Sequence, residues 1–514
     1  MSVARHREAY VGYVEIAYPT VYIISSTMRK ELLDAVRWAE KECLDRVIFN
    51  GKGVGIPADA DVCLVDSLTT TPRLSDVLNA IEESFVPWIA AIEGVAHGGA
   101  AQIAMACRMR IMSSSARIGL PDVTLGVVPS AGGTQRLPRL VGLATTLDMI
   151  CGAKILDAKA AFSAGLVNEI DDVPVDAAFM VNTEELGCLV PVQELPAPEI
   201  NKELLDAARN QADTDNPGQI APLQVIDVIE RGLALSFHEG LAVEWDAFVS
   251  LRNAEQAIAL RHVLHVEHNA KPVSEILADT VETSDSDERV GVVGKRILER
   301  YREAADTVLM DGSTPWEIDE AMVEFGYAMG PYSAQDLIGL DIAYARRQRK
   351  QASRDPARRY IPIADRMIEL GKLGRKTGAG WYRYPGGGGR VDDPIVADLA
   401  IEEAHFAKIE RVDYSADEIR ERLLLAMINE AADILLEGIT QKASDIDLIT
   451  IVGYGFPRWR GGLMHFADTL DAKFIVTQLE RLSEEDRIAW QVSPLLKQCA
   501  EKGIRISDVD ARQL

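Results

Sequence analysis

A glycine pair between two apolar runs is the feature that most constrains this chain. Trp88 to Ile92 (WIAAI) reads as a β-strand, Gly98 and Gly99 make a turn, and an Ala-rich helix leaves from Ala100. Glycine permits tight backbone geometry and close approach of a ligand. The free N–H groups and positive dipole end of the helix that follows favour an anionic oxygen. A strand that must turn at once into a helix, with its donors left open, points to chemistry that stabilises an oxyanion.

The 514 residues exceed one ordinary core, so two or three domains are expected. Lys and Arg number 54 against 79 Asp and Glu, a formal charge of −25, which argues against a sequence-independent grip on nucleic acid or an anionic membrane. A polyanionic small ligand would need a local basic patch, and Arg5, Arg29, Lys30 and Lys52 are the early candidates. The six cysteines are scattered without a C-x-x-C pair, so neither a zinc site nor a disulfide framework is expected. With no basic-then-apolar leader and no run of about 18 apolar residues, the expected setting is the cytoplasm, with no membrane span.

In chain order, residues 10–24 read as two short strands around Pro19, a helix follows from Ser26 with Ser26 or Thr27 as cap, and RVIFNG at 46–51 returns to strand. Residues 51–62 (GKGVGIPADADV) have the composition of a loop, whether a plain connection or part of a site. A helix at 74–84 precedes the glycine turn. Helical segments at 144–151 and 157–164 lead to a strand-like GLVNEI at 165–170. Alternating strands and helices indicate an α/β layer fold closing near residue 200. Residues 201–270 are helical and serve as an extension or connector, and the acidic stretch 271–290 is the expected linker.

The remainder is helical and repeats itself. EAADTVLMDG at 303–312 resembles EAADILLEG at 430–438, an offset of 126 residues when Gly312 and Gly438 are aligned, and each is followed by a glycine-aromatic segment, FGYAMGP and VGYGFPRWRGG. Two similar helical units, 291–400 and 401–514, each burying an apolar stripe against the other, are expected. Between them, residues 373–390 are turn-rich. Their four-glycine run reads as a flexible loop, since no strand and helix flank it as a phosphate cradle requires.

IAAIEGVAHGG, LPDVTLGVVPSAGGTQRLPRLVG and AFSAGLVNEI occur in the order of the enoyl-CoA hydratase/isomerase (crotonase) family, which residues 1–200 therefore resemble. RILERYREAADTVLMDG, YAMGPYSAQDLIGLD, LGRKTGAGWYRY, AMINEAADILLEGI and GYGFPRWRGGLMHFAD resemble the C-terminal helical domains of 3-hydroxyacyl-CoA dehydrogenase, as fused in multifunctional β-oxidation enzymes. The resemblance implies an α/β crotonase (ββα spiral) domain followed by a duplicated all-α region. In those fused enzymes a Rossmann domain precedes the helical domains. Here GVVGKRIL at 291–298 follows the linker directly, and no G-x-G-x-x-G occurs. Lys295 stands where the family has an Asn, and no NAD chemistry is expected.

The same resemblance implies site residues. Two backbone N–H groups, of Gly99 and Ala60, would hold the thioester oxygen, with PADADV at 57–62 in the place of the family's CAGADI and Asp59 where the family has Gly. The family's two catalytic glutamates correspond to Gln102 and Asp122. Gln102 cannot take a proton but can hold a water or a substrate oxygen, which leaves Asp122 as the acid/base group. His97, Gly98 and Asp59 are neighbours of the donors, and Asp61 reads as a loop-structuring side chain. The expectation is an enzyme of acyl-CoA thioesters working through an enolate, an enoyl-CoA isomerase or hydratase. CoA enters only as part of the substrate and no cofactor is permanently bound. The rivals are a catalytically weakened acyl-CoA-binding or scaffold subunit, or another crotonase reaction: thioester hydrolysis, decarboxylation or carbon–carbon cleavage. Oligomeric state is left open.

Overall fold

A computed structural model of the chain describes residues 3–16, 24–51, 71–269, 291–350 and 358–509. It divides into two compact units, Met1–Arg261 and His262–Leu514. The division thus falls within the helix Glu255–Asn269, ahead of the expected linker, which lies outside the described residues. His262 and Glu267 on that helix bond Asp447 and Arg458 of the second unit's own body, which is why they group with it.

The first unit is built on a six-stranded sheet, with strands β1 (Val3–Glu8), β2 (Val11–Ile16), β3 (Arg46–Gly51), β4 (Trp88–Ile92), β6 (Met109–Met112) and β9 (Glu169–Ile170) in that spatial order. β1 and β2 are antiparallel; every other pairing in this sheet is parallel. Parallel strands are covered on both faces, so β4 is buried at every residue. β1 escaped the sequence reading because its residues VARHRE carry one buried side chain and five exposed ones, an edge strand without an apolar period. Of the strands expected over 10–24, β2 is present and residues 17–23 lie outside the described residues.

Three helices matter for the site. Helix α1 (Ser26–Lys41) is capped by Ser25, whose hydroxyl accepts the Met28 N–H, one residue earlier than expected. It buries Met28, Leu32, Ala35, Val36 and Ala39. Helix α2 is Leu74–Glu83 and helix α3 is Gly99–Ala106. On one face of the sheet, Val11, Ile48, Ile89 and Ile111 pack against Ala178 and Leu186, so the stretch after residue 170 supplies the cover for that face. A second sheet sets β7 (Arg117–Gly119) between β5 (Val95–His97), parallel to it, and β8 (Leu156–Asp157), antiparallel.

Helix α4, Gly133–Ile150, is broken by the non-helical Gly142 at φ 77°, so the helix expected over 144–151 is its second half, and the first half, before Gly142, is a helix that the sequence reading missed. The reason is the glycine-rich start: Gly132 at φ 96° is the cap, a conformation that propensity alone reads as loop. Helices α5 (Ala221–Leu233) and α6 (Phe237–Arg252) pack on α4, so this part of the helical extension packs back within the first unit.

The second unit is almost wholly helical. One core runs from Val266 to Val509, so the two repeats share it. Helices α7 (Val292–Asp311) and α8 (Ala416–Leu436), which carry the repeated EAAD motif, pack along each other, with Arg296 bonding Glu430 at 2.6 Å and also Glu437. The glycine-aromatic segments meet in one cluster. The Phe325 ring lies 5.6 Å from Phe456 and 5.1 Å from Phe466, and the Arg460 guanidinium sits 4.0 Å from the Phe325 centroid. The stretch after residue 373 is tied by the buried Asp336 carboxylate, which accepts the Trp381 and Tyr382 N–H groups at 2.8 and 2.9 Å. Its four glycines lie between the two short strands Tyr382–Arg383 and Val391–Asp392, which pair antiparallel. No described helix is long and apolar enough to cross a membrane.

Candidate active site

The parallel pairing of β5 and β7 brings the two halves of the proposed site together. Register places His97 opposite Gly119, and the Gly98 N–H donates to the Gly119 oxygen at 3.1 Å. The chain after β5 therefore turns into α3 where the chain after β7 turns through Pro121 into a short 3-10 turn, Asp122–Leu125. Gly98 has φ 49° and ψ −117°, which a residue with a side chain adopts poorly. A Cβ on Gly99 would stand 2.4 Å from Ile24 Cδ1, so the backbone here passes closer to its neighbour than alanine allows. Within α3 the Gln102 N–H is the first to close a helical bond, to the Gly98 oxygen at 2.9 Å, which leaves the Gly99 N–H among the donors at the helix start. Ala60, Asp59 and Asp61 lie outside the described residues.

Asp122 is 7% exposed. Its turn ends at Gly126, φ 72°, where a Cβ would meet Ala257 Cα at 2.9 Å. The start of the helix Glu255–Asn269 thus covers the turn that presents Asp122. His97 is half-buried at the end of β5, burial pulls its imidazole below the ordinary histidine value, and its Nε2 has no hydrogen-bond partner among the described residues.

Gln102 is differently employed from the simplest expectation. Its Oε1 accepts the Ala131 N–H at 2.9 Å and the Gly133 N–H at 3.1 Å. That oxygen is committed to the turn before α4, with both of its acceptor positions taken. The amide NH2 makes no hydrogen bond to the described residues, so Gln102 can act toward a ligand only as a donor.

The turn itself is the hub that sequence reading missed. Its N–H groups alternate in direction: those of Ala131 and Gly133 meet Gln102, while those of Gly132 and Thr134 meet the Glu244 carboxylate, the latter at 2.7 Å. Thr134 Oγ1 adds a bond to Glu244 at 2.6 Å. Burial raises Glu244 to about 7, against the lowering pull of these donors and Arg136. Arg136 is fully buried; it pairs with Glu82, donates to Asn79 Oδ1 at 2.9 Å and to the Ala131 oxygen at 2.7 Å. Glu82 Oε1 in turn accepts the Gln193 N–H at 3.1 Å. The GGTQRLPR run is therefore architecture that fixes the turn. One signal for Glu82 was available: it continues the apolar stripe Leu74, Val77, Leu78, Ile81 of α2 and so had to be buried and paired. Glu244 carries the same signal, since it lies at helical spacing from Phe237, Phe248 and Leu251 on the buried stripe of α6.

Of the cations considered for CoA phosphates, Arg29 is 6% exposed and donates to the Pro72 and Ile24 oxygens at 2.9 and 3.0 Å, so it braces the fold instead. Arg5 is exposed beside Trp38, its guanidinium 5.7 Å from the ring, and Lys30 is exposed. Lys52 lies outside the described residues. No group of three or more His, Cys, Asp or Glu suited to a metal occurs among the described residues.

With this geometry in place, comparison with known proteins is direct. Residues 6–187 match the family model for enoyl-CoA hydratase/isomerase, and residues 291–384 match that for the 3-hydroxyacyl-CoA dehydrogenase C-terminal domain. A peroxisomal bifunctional enzyme of Danio rerio is 25% identical over 693 aligned positions, spanning 96% of this chain and 96% of the relative. A fatty acid oxidation complex subunit alpha of Shewanella sp. (strain MR-7) is 22% identical, spanning 89% of this chain and 92% of the relative. The crystal structure of an enoyl-CoA hydratase/isomerase from Pseudoalteromonas atlantica T6c is 22% identical and covers 53% of this chain and 99% of its own, with a TM-score of 0.38. The α/β first half of this chain is thus similar to the enoyl-CoA hydratase/isomerase (crotonase) family over residues 6–187, and the helical second half is similar over residues 291–384 to the 3-hydroxyacyl-CoA dehydrogenase C-terminal domain.

Proposed function

We propose that the first unit processes enoyl-CoA thioesters through an enolate, with isomerisation of the double bond or hydration as its reaction. The observation that carries this reading is the β5–β7 register, which sets the Gly99 N–H at a helix start and the Asp122 carboxylate at adjacent strand ends. The Gly99 and Ala60 N–H groups would take the charge that develops on the thioester oxygen; one such donor is worth on the order of 10²–10³ in rate. Asp122 removes a proton from the carbon beside the carbonyl of a 3-enoyl thioester, the electron pair spreads to the oxygen, and the same carboxyl returns the proton two carbons along. Bonds and charge balance without a second acid. Gln102, restricted to donation, supports a one-carboxylate reaction over the paired-glutamate form.

The reading excludes NAD-dependent oxidation by this chain. In support, the alignment with the Danio rerio relative has 693 positions whereas 96% of 514 residues is about 493, so about 200 positions of that relative face no residue here. That is the size of a nucleotide-binding domain. Saturable NADH binding by the purified protein would overturn this point.

A second reading, an acyl-CoA-binding subunit without turnover, has one observation in its favour: Gln102 replaces an acid and its oxygen is tied down. An assay against a panel of 2- and 3-enoyl-CoA thioesters separates the two. Turnover is expected, and Asp122→Asn is expected to lower kcat by at least about 100-fold, the lower end for a general base. Acyl-CoA binding without turnover would establish the second reading, and full activity in Asp122→Asn would remove Asp122 from its role.

A further inference from the structure

Glu244 lies in the helical extension, far in sequence from the motifs of the thioester site, yet it meets that site through a single turn. Four successive N–H groups, Ala131 to Thr134, alternate between two acceptors, Gln102 on one side and Glu244 on the other. Each acceptor takes two of them. The turn therefore cannot rotate to release one side chain without breaking the bonds of the other. Gly132, at φ 96°, has Arg136 Nη1 2.1 Å from where a Cβ would stand, so the turn has no slack on that side either. Because Gln102 Oε1 is held by two donors, its amide plane is set and its NH2 group is aimed in one direction. Glu244 itself is 1% exposed, and among the described residues its carboxylate bonds only the Gly132 and Thr134 N–H groups and Thr134 Oγ1.

We propose that Glu244 is a positioning residue of the thioester site: it locks the Ala131–Thr134 turn, and through that turn it orients the Gln102 amide donors toward the substrate. The assignment rests on the thioester reading above. It makes the C-terminal extension of the first unit part of the site's working geometry and not only its cover.

A double-mutant cycle in the full chain tests it. Glu244→Gln keeps the shape but turns one acceptor oxygen into a donor facing an N–H, so the turn must shift. Expected are a fall in kcat of about tenfold, within what a small misplacement costs, and an acyl-CoA KM within about twofold. In the Gln102→Ala background Glu244→Gln should lower kcat no further, because the group it orients is gone. Thr134→Val, which removes only the Oγ1 bond, is a milder variant should Glu244→Gln fold poorly, with a smaller loss that also vanishes in Gln102→Ala. Amide hydrogen exchange of the 129–136 peptide reads the turn without turnover, and at least tenfold lost protection is expected in Glu244→Gln. Unchanged kcat, additive losses in the cycle, or unchanged exchange overturns the proposal. A wild type that shows no turnover, with exchange at the turn still dependent on Glu244, refutes the thioester reading instead and leaves the lock itself standing.

Discussion

Glu82→Gln tests the physical account of the site at its base. The Arg136 guanidinium and Glu82 carboxylate have side-chain exposures of 0% and 1%, and the arginine also serves Asn79 and the Ala131 oxygen. Removing one charge of a buried pair leaves the other desolvated without a counter-charge, a loss of about 3–5 kcal/mol. Two neutral acceptors remain on Arg136, which puts the expectation near the lower end, about 3 kcal/mol. For a unit of 261 residues, at about 2 °C per kcal/mol, the transition should fall by about 6 °C. Calorimetry resolves this if the two units melt separately, and the first unit's transition alone should move. Replacing both partners, Glu82→Leu with Arg136→Met, removes the stranded charge, so the double variant should be less destabilised than the sum of the singles by at least about 2 kcal/mol. A shift below about 2 °C for Glu82→Gln, or additive losses in the pair, would refute the claim that this ion pair holds the turn.

Two glycines give a graded comparison. At Gly132, φ 96°, a Cβ would meet Arg136 Nη1 at 2.1 Å and Leu241 Cδ2 at 2.7 Å, whereas at Gly142, φ 77°, nothing lies within 4 Å. Gly142→Ala, at ψ 172°, should therefore cost about 1–3 kcal/mol of backbone strain alone, and Gly132→Ala, at ψ 18°, about 1–2 kcal/mol of strain with about 1–3 kcal/mol of overpacking added; chemical denaturation giving equal losses would contradict the packing at the turn. In the second unit, burial first, then His262 and Arg505, lower His465 to about 4. A histidine lowered below its unfolded value near 6.5 contributes stability that is present above that value and lost as pH falls through about 4. His465, stacked on His262 with ring centroids 4.4 Å apart, is joined there by the buried Asp447, which bonds His262 at 2.9 Å, and by Asp468. His465→Phe should flatten the unfolding-midpoint profile of that unit between pH 6.5 and 4, and an unchanged slope would assign the acid loss elsewhere.

Periodicity was sufficient for much of this molecule. The strands at 46–51 and 88–92, the helix at 74–83 and the helical extension are all where the apolar pattern puts them, because burial on a regular element leaves a period in the sequence. The internal repeat was legible for the same reason, and its two halves do meet, through α7 and α8 and through the Phe325–Phe456 contact. Strand β1 was not legible, since an edge strand with one buried residue carries no such period. At the site, the sequence by itself determined the glycine turn, the helix start that follows it, and the residue types at 102 and 122, because these are local. What only the tertiary structure decided is how those residues are used. Gln102 lost its acceptor to the Ala131 and Gly133 N–H groups, Arg29 was consumed by backbone oxygens, and Glu244 came to the turn across more than a hundred residues. A hydrogen-bonding group is defined by what it has left after its partners are counted, and those partners are neighbours in space that no spacing along the chain reveals.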